Sequence, residues 1–283
     1  MAKEKTAKVK MDSRAVRIES YLVMIFAALV SIVPLGWVLL SSLKKDPQAR
    51  PGFMLPESIC LDGYITVFRD LGIMQHFINS LFVSTISVAL SILMISMSAY
   101  VVARMQFPGK GIVTICLLST LFLPATALTF PVYNLVNTLG LYNTHGALIL
   151  IYTCSGIAVS FFVIRNYYAT IPVELEEAAR IDGCGYFQTW WKIMFPIARP
   201  GIMTAAVLAF LGNWNEYYWS SLVLIDKKLM TIPALLSNFT NAFSTDYNGL
   251  FSAIVVIVVP PIVLFCCCSK FFVEALSGGA VKG

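Results

Sequence analysis

The chain has 283 residues, 58% of them hydrophobic and 12% charged, with a mean hydropathy of +0.78 and a formal net charge of +5. That charged fraction is half the roughly 25% usual in soluble domains, which excludes an ordinary soluble globule. Apolar runs of about 20 residues mark α-helical membrane spans, whereas a β-barrel shows alternating segments of about 10.

The first 20 residues are basic. The apolar run Tyr21–Leu40 that follows is long enough to span, and no small-residue cleavage site comes after it, so it reads as a retained helix and not a cleaved leader. The sequence predicts an all-α integral membrane protein with six transmembrane helices and one short cytoplasmic helix between spans four and five. The spans are expected at Tyr21–Leu43, Asn79–Ala103, Ile112–Leu135, His145–Asn166, Gly201–Ile225 and Leu250–Phe272. Lipid offers backbone polar groups no partner, so each span must be helical. Pro34, Pro124, Pro131, Pro260 and Pro261 fall in or near spans and are expected to kink them. With both termini on one side, that side carries 14 of the 20 Lys and Arg residues. It is therefore the cytoplasmic side. The chain then divides into a basic cytoplasmic tail (1–20), a first helix and extracytoplasmic loop (21–78), a five-helix core (79–272) and a cytoplasmic tail (273–283).

The outer loops, Lys44–Ile78 and Asp226–Gly249, are either connectors or contact surfaces for an extracytoplasmic partner. Asn238–Thr240 fits a glycosylation triplet, a pattern common by chance. The cytoplasmic loop between spans four and five holds a helix bracketed at 172–183. Pro172 suits its first position, Glu174, Glu176 and Glu177 suit its positive end, and Gly183 suits a left-handed cap. Glu176 and Arg180 are spaced as an i,i+4 pair. On a helical projection Leu175, Ala178, Ala179 and Asp182 share one side, opposite Glu176, Glu177 and Arg180. The paired alanines allow close approach of a partner. A helix lying on the membrane surface would carry cations on its polar face, not three glutamates, so a protein partner fits better. Tyr186–Phe195 is aromatic-rich and holds Lys192, a composition suited to the headgroup level.

Glu177-Ala178-Ala179, Asp182-Gly183, Ile193 and Phe195-Pro196 together resemble the EAA motif of ABC importer permeases. Cys184 stands where alanine is usual and Phe195 where leucine is usual. His76–Ser80, Asn213–Tyr217 and Glu274–Gly283 resemble the maltose-type, carbohydrate-importing branch of that family. The resemblance implies a permease subunit, forming half of a translocation pathway in a prokaryotic cell membrane. It implies a second homologous permease, two ATPase subunits and an extracytoplasmic solute-binding protein as partners, besides the lipid bilayer. It implies that Glu177, Ala178, Ala179, Arg180, Asp182 and Gly183 dock an ATPase as a coupling helix. ATP and magnesium would belong to that ATPase and no cofactor to this chain.

The residues agree with this division of labour. No GxxxxGK[ST] phosphate loop occurs, and Gly109-Lys110-Gly111 is too short to be one. No catalytic or metal cluster surrounds His76 or His145, so the chain is not expected to be an enzyme. The seven cysteines form no CxxC pair and read as small apolar filler. The net charge needs no nucleic acid to explain it. Glu216, flanked by Asn213, Trp214 and Asn215, is a candidate for the translocation pathway, because an ionisable group inside a span is functional by default. The competing reading is an aromatic belt with a helix-packing acid. Tyr133 and Asn134, after Pro124, are further pathway candidates. Cargo other than sugar (glycerol-phosphate, amino acid or peptide) stays open, as does a secondary transporter, although no internal repeat supports the latter.

Overall fold

The computed structural model describes residues 14–239 and 246–280, and no strand occurs among them. The chain divides into two units: Met1–Val67 with Thr245–Val255, and Phe68–Ser244 with Val256–Gly283.

The first unit is built on α1 (Arg14–Ser42). Its apolar window, within Ile18–Ser42, is exposed, and near its end the Trp37 ring meets Phe251 edge-on at 5.4 Å. Past its end Lys44 turns inward, only 1% exposed, and its Nζ donates to the carbonyls of Arg50 and Gly52 at 2.8 Å each. Asn248 Nδ2 donates to the carbonyls of Ser42 at 3.2 Å and Lys44 at 2.6 Å. Gly63 lies so close to this knot that a Cβ there would sit 2.6 Å from the Asn248 carbonyl oxygen.

The second unit is organised by α2 (Ile73–Arg104), 32 residues that rise about 48 Å, enough to cross about 30 Å of hydrocarbon. Along α2, Ser80, Ser84, Ser87, Ser91 and Ser96 are buried. Small residues at this spacing let neighbouring helices approach closely. The neighbours are α5 (His145–Cys154), α6 (Ile157–Thr170) and α8 (Arg199–Trp214). Ile95, Ala99, Phe161, Ile164, Met194, Ile202 and Ala205 fill the space between them. Gly201 of α8 allows a close crossing, because a Cβ there would meet Tyr167 of α6 at 2.6 Å.

Three sharp bends occur, two inside expected spans and one just before the fifth. α3 (Lys110–Ser119) and α4 (Thr129–Thr138) belong to a pair of segments bent by 100°. The bend falls at Pro124, where backbone ψ is 131°. α5 and α6 bend by 49° at Gly156, whose φ of 64° no continuing helix allows. The aromatic segment Tyr186–Ile197, which includes a π-helical turn at Trp190–Met194, meets α8 at 78°. Between α6 and that segment lies α7 (Glu174–Ile181), and after α8 comes α9 (Tyr218–Val223). α10 (Tyr247–Ala280) closes the chain and contributes to both units. Three helices are thus long and apolar enough to cross a membrane singly, and each bent pair counted as one span brings the number to six.

Several expected boundaries move. α1 is helical from Arg14, inside the stretch assigned to a tail, and α10 runs through Ala280. The second span opens at Ile73 and not Asn79, because Gly72, at φ 60°, ends the preceding loop. The fifth span ends at Trp214 and not Ile225. The start of the basic tail, Thr240 of the glycosylation triplet and residues 281–283 lie outside the described residues.

Candidate functional site

α7 begins at Glu174, two residues later than Pro172 suggests. It ends in a Schellman cap. Cys184 N–H donates to Ala179 O at 2.9 Å and Gly183 N–H to Arg180 O at 3.0 Å, with Gly183 at φ 81°. Only glycine takes that conformation at little steric cost, so Gly183 fixes where the chain turns away.

The faces of α7 differ from the expected ones. The two alanines do not share a surface: Ala179 is buried at 3% exposure and Ala178 is exposed. Adjacent helical residues are 100° apart, so one alanine packs inward while the other looks out. Glu176, expected at a charged rim with Arg180, is also buried. Its Oε1 lies 2.8 Å from Arg104 Nε, and its Oε2 accepts from Tyr100 OH at 3.2 Å. Arg180 instead lies over the Tyr186 ring, 5.2 Å from its centroid. The outward side carries Glu174, Glu177, Ala178 and Ile181, with Asp182 and Arg180 also exposed. Ile181 is 86% exposed. A short, capped helix thus anchors one face to its own bundle and offers a mixed apolar and acidic face outward.

The other end of α2 holds a different cluster. His76 Nδ1 pairs with Met230 O at 2.8 Å, Asn79 Nδ2 donates to Lys228 O at 2.7 Å, and Ser80 Oγ accepts from Ile232 N–H at 2.8 Å. His145 Nε2, at the start of α5, pairs with Leu229 O at 2.9 Å. A carbonyl only accepts, so both imidazoles donate here. The histidines therefore dock the segment 228–232. That segment and α7 sit at opposite ends of α2, about 37 Å apart along its axis between Asn79 and Arg104.

Glu216 stands in the break between α8 and α9. Its Oε1 accepts from Trp219 N–H at 2.8 Å, and its Oε2 from Ser220 N–H at 3.2 Å and from Tyr152 OH at 2.8 Å. It thus caps α9 and ties it to α5. Trp214 is 1% exposed; its Nε1 donates to Ile257 O at 3.2 Å, and its ring packs on Phe210 and Phe77. Asn215 is exposed and donates from Nδ2 to Leu211 O at 2.8 Å, while Asn213 is half-buried. Tyr133 sets its ring edge-on to Tyr142 at 5.5 Å, and Asn134 is exposed. The structure does not bring Tyr133 and Asn134 onto Glu216. It does bring Thr129 to Tyr218, Oγ1 to OH at 2.8 Å. A cavity of about 460 Å³ opens at the breaks of the third and fourth spans, lined by Leu121, Val132, Leu135, Ile151, Ile157 and Trp219 among others. None of the pathway candidates lines it. No cluster of three metal-ligating side chains occurs among the described residues.

Sequence reading missed Tyr100, Arg104 and Glu176 as one group, and the carbonyl-docking role of His76, Asn79 and His145. Arg104 had counted only as a charge at a span end.

Comparison with known proteins gives a consistent set of relatives. Residues 91–278 match the family model described as binding-protein-dependent transport system inner membrane component. The chain is 34% identical over 263 residues to the probable ABC transporter permease protein YurM of Bacillus subtilis, covering 92% of this chain and 87% of that one. It is 31% identical over 256 residues to the trehalose transport system permease protein SugB of Mycobacterium tuberculosis, covering 89% and 93%. It is 33% identical over 263 residues to the arabinooligosaccharides transport system permease protein AraQ of Halalkalibacterium halodurans, covering 91% and 94%. Its fold matches, at a TM-score of 0.77 and 24% identity, a chain from the crystal structure of a bacterial ABC transporter involved in the import of the acidic polysaccharide alginate. The match covers 92% of this chain and 98% of that one.

Proposed function

Because the chain belongs to the binding-protein-dependent family of inner-membrane transport components, we propose that it forms half of a carbohydrate pathway and couples it to ATP hydrolysis through α7. The chain is a multi-pass permease subunit of an ABC importer and is not itself the ATPase. Its family works with an ATPase and a binding protein. The finer assembly is this chain, a second homologous permease, two ATPases and one extracytoplasmic binding protein. ATP and magnesium act in the ATPases. Both termini lie in the cytoplasm, which follows from the Lys and Arg distribution. A carbohydrate cargo is supported by the relatives that carry trehalose and arabinooligosaccharides.

The observation that carries the coupling role is the outward face of α7. An isoleucine on a capped, anchored helix stays 86% exposed among the described residues. An eight-residue helix is about 12 Å long and cannot span, so it sits beyond the hydrocarbon. There, Ile181 and Ala178 are free to enter a groove while Glu177 and Asp182 set register at the rim. ATP-driven closure of the ATPases then moves α7, and differential affinity for the two ATPase states biases the permease between its own. For the pathway, Asn213, Asn215 and Glu216 border the α8–α9 break, beside exposed Tyr217 and Tyr218. Aromatic faces and amides suit sugar rings and hydroxyls. Trp214 supports that surface from behind, and Thr129 of α4 reaches it at Tyr218.

The test is purification of tagged chain in mild detergent after Glu177→Lys or Ile181→Asp substitution. The expected result is a normal membrane level with loss of the ATPase and of uptake. Full ATPase recovery and normal uptake in both variants would refute the docking role. The cargo is read by ligand screening of the binding protein recovered with the unaltered complex.

A further inference from the structure

The inward contact of α7 is as built as its outward face. Arg104 is the last residue of α2, and Glu176 sits in the first turns of α7. Their side chains are 11% and 7% exposed, and they meet at 2.8 Å. The contact is not aligned as a hydrogen bond, so charge attraction holds it. Arg104 also donates to the Ile171 carbonyl, in the link between α6 and α7. Tyr100, one turn back on α2, donates to the second oxygen of Glu176 at 3.2 Å. Its ring meets Tyr168 of α6 edge-on at 5.6 Å, and Tyr168 OH in turn bonds Ser96 Oγ at 2.7 Å. Side chains from the ends of α2, α6 and α7 are thereby tied into one block.

We propose that the Arg104–Glu176 pair, with Tyr100, is the joint that passes displacement of α7 into α2. The proposal rests on α7 being the helix that docks the ATPase. An apolar contact between two helices slides at small cost. A buried pair of opposite charges resists separation, because parting them leaves each charge uncompensated in a poorly solvated site. A push on α7 therefore carries the end of α2 with it. α2 runs the length of the bundle, packs along α5, α6 and α8, and holds the 228–232 segment at its far end. A displacement entering at Arg104 thus reaches the opposite side of the membrane through one continuous helix. Arg104, Tyr100 and Glu176 are positioning residues: they act through α7 and touch neither cargo nor nucleotide.

The experiment uses the whole importer, purified with its ATPase and binding protein and returned to lipid vesicles. Glu176→Gln, Arg104→Met and the double variant are compared for ATPase recovery, ATP hydrolysis and cargo taken up per ATP hydrolysed. Each single variant should keep ATPase recovery within about twofold yet lower uptake per ATP by about fivefold or more, a loss in the range of ordinary coupling energies. The double variant should be no worse than the poorer single one, because both changes break one link. Unchanged uptake per ATP, even if membrane levels fall, would make the pair ordinary packing and overturn the joint while leaving α7 as the docking helix. Failure of the unaltered chain to recover any ATPase would overturn both.

Discussion

Glu216 can be read two ways from sequence, and the structure shows which protein groups hold its carboxylate. Its neighbours, Asn213, Trp214 and Asn215, suggest either a sugar-facing acid or a packing acid at an interface. In the structure both its oxygens are engaged, with two backbone N–H groups of α9 and with Tyr152 OH. Glu216→Ala would leave those donors without a partner, at a cost of about 1–3 kcal/mol for a buried unsatisfied group. The expected outcome is a lower thermal midpoint of the detergent-purified chain, with Tyr152→Phe milder and the double variant less than additive. An unchanged midpoint with a raised uptake KM would instead assign Glu216 to cargo contact. The residue types were legible in the sequence; their partners were not, because Tyr152 stands 64 positions away on another helix. Arg104 was hidden for the same reason. A cation at a span end satisfies the charge rule by itself, and nothing local in the sequence distinguishes it from a cation with a buried partner.

At the scale of elements, the short helix was legible and its orientation was not. Glutamates at its start, glycine at its end and its length all follow from local rules that need no tertiary contact. Which face turned inward depended on Arg104 waiting beneath it. Gly183→Val would place a β-branched residue at φ 81°, costing at least about 1–2 kcal/mol and unseating the turn after α7. Transport should fall sharply while membrane insertion persists, as followed by uptake against immunoblot level. Normal uptake would show that the turn tolerates another path. The broken spans were partly visible. Pro124 marked one break and the polar residues around Asn215 another, but Gly156 is an ordinary-looking position within an apolar run. Gly201 is a related case: its value lies in what a Cβ would strike. Gly201→Leu should overpack the α8–α6 crossing by about 1–3 kcal/mol or more and reduce the yield of folded protein after detergent extraction.

At the scale of the molecule, hydropathy alone fixes the class, because few structures satisfy backbone groups in lipid. Three long helices, with up to three bent pairs, accommodate six spans, and the fifth expected span covers only the second half of its pair. α2 sets the axis: its two ends hold two different polar clusters about 37 Å apart, on opposite sides of any membrane it crosses. The charge bias predicts that the α7 end faces the cytoplasm. In a cysteine-free background, Lys227→Cys should react with a membrane-impermeant thiol reagent added to intact cells. Ile181→Cys should react only after permeabilisation. The opposite pattern would invert the topology.

The most direct test of the central claim is a photocrosslinking amino acid placed at Ile181 in native membranes. The outward face of α7 predicts a crosslink to an ATPase subunit that weakens when Glu177→Lys is added. Crosslinks to lipid or to this chain alone, with transport intact, would contradict it.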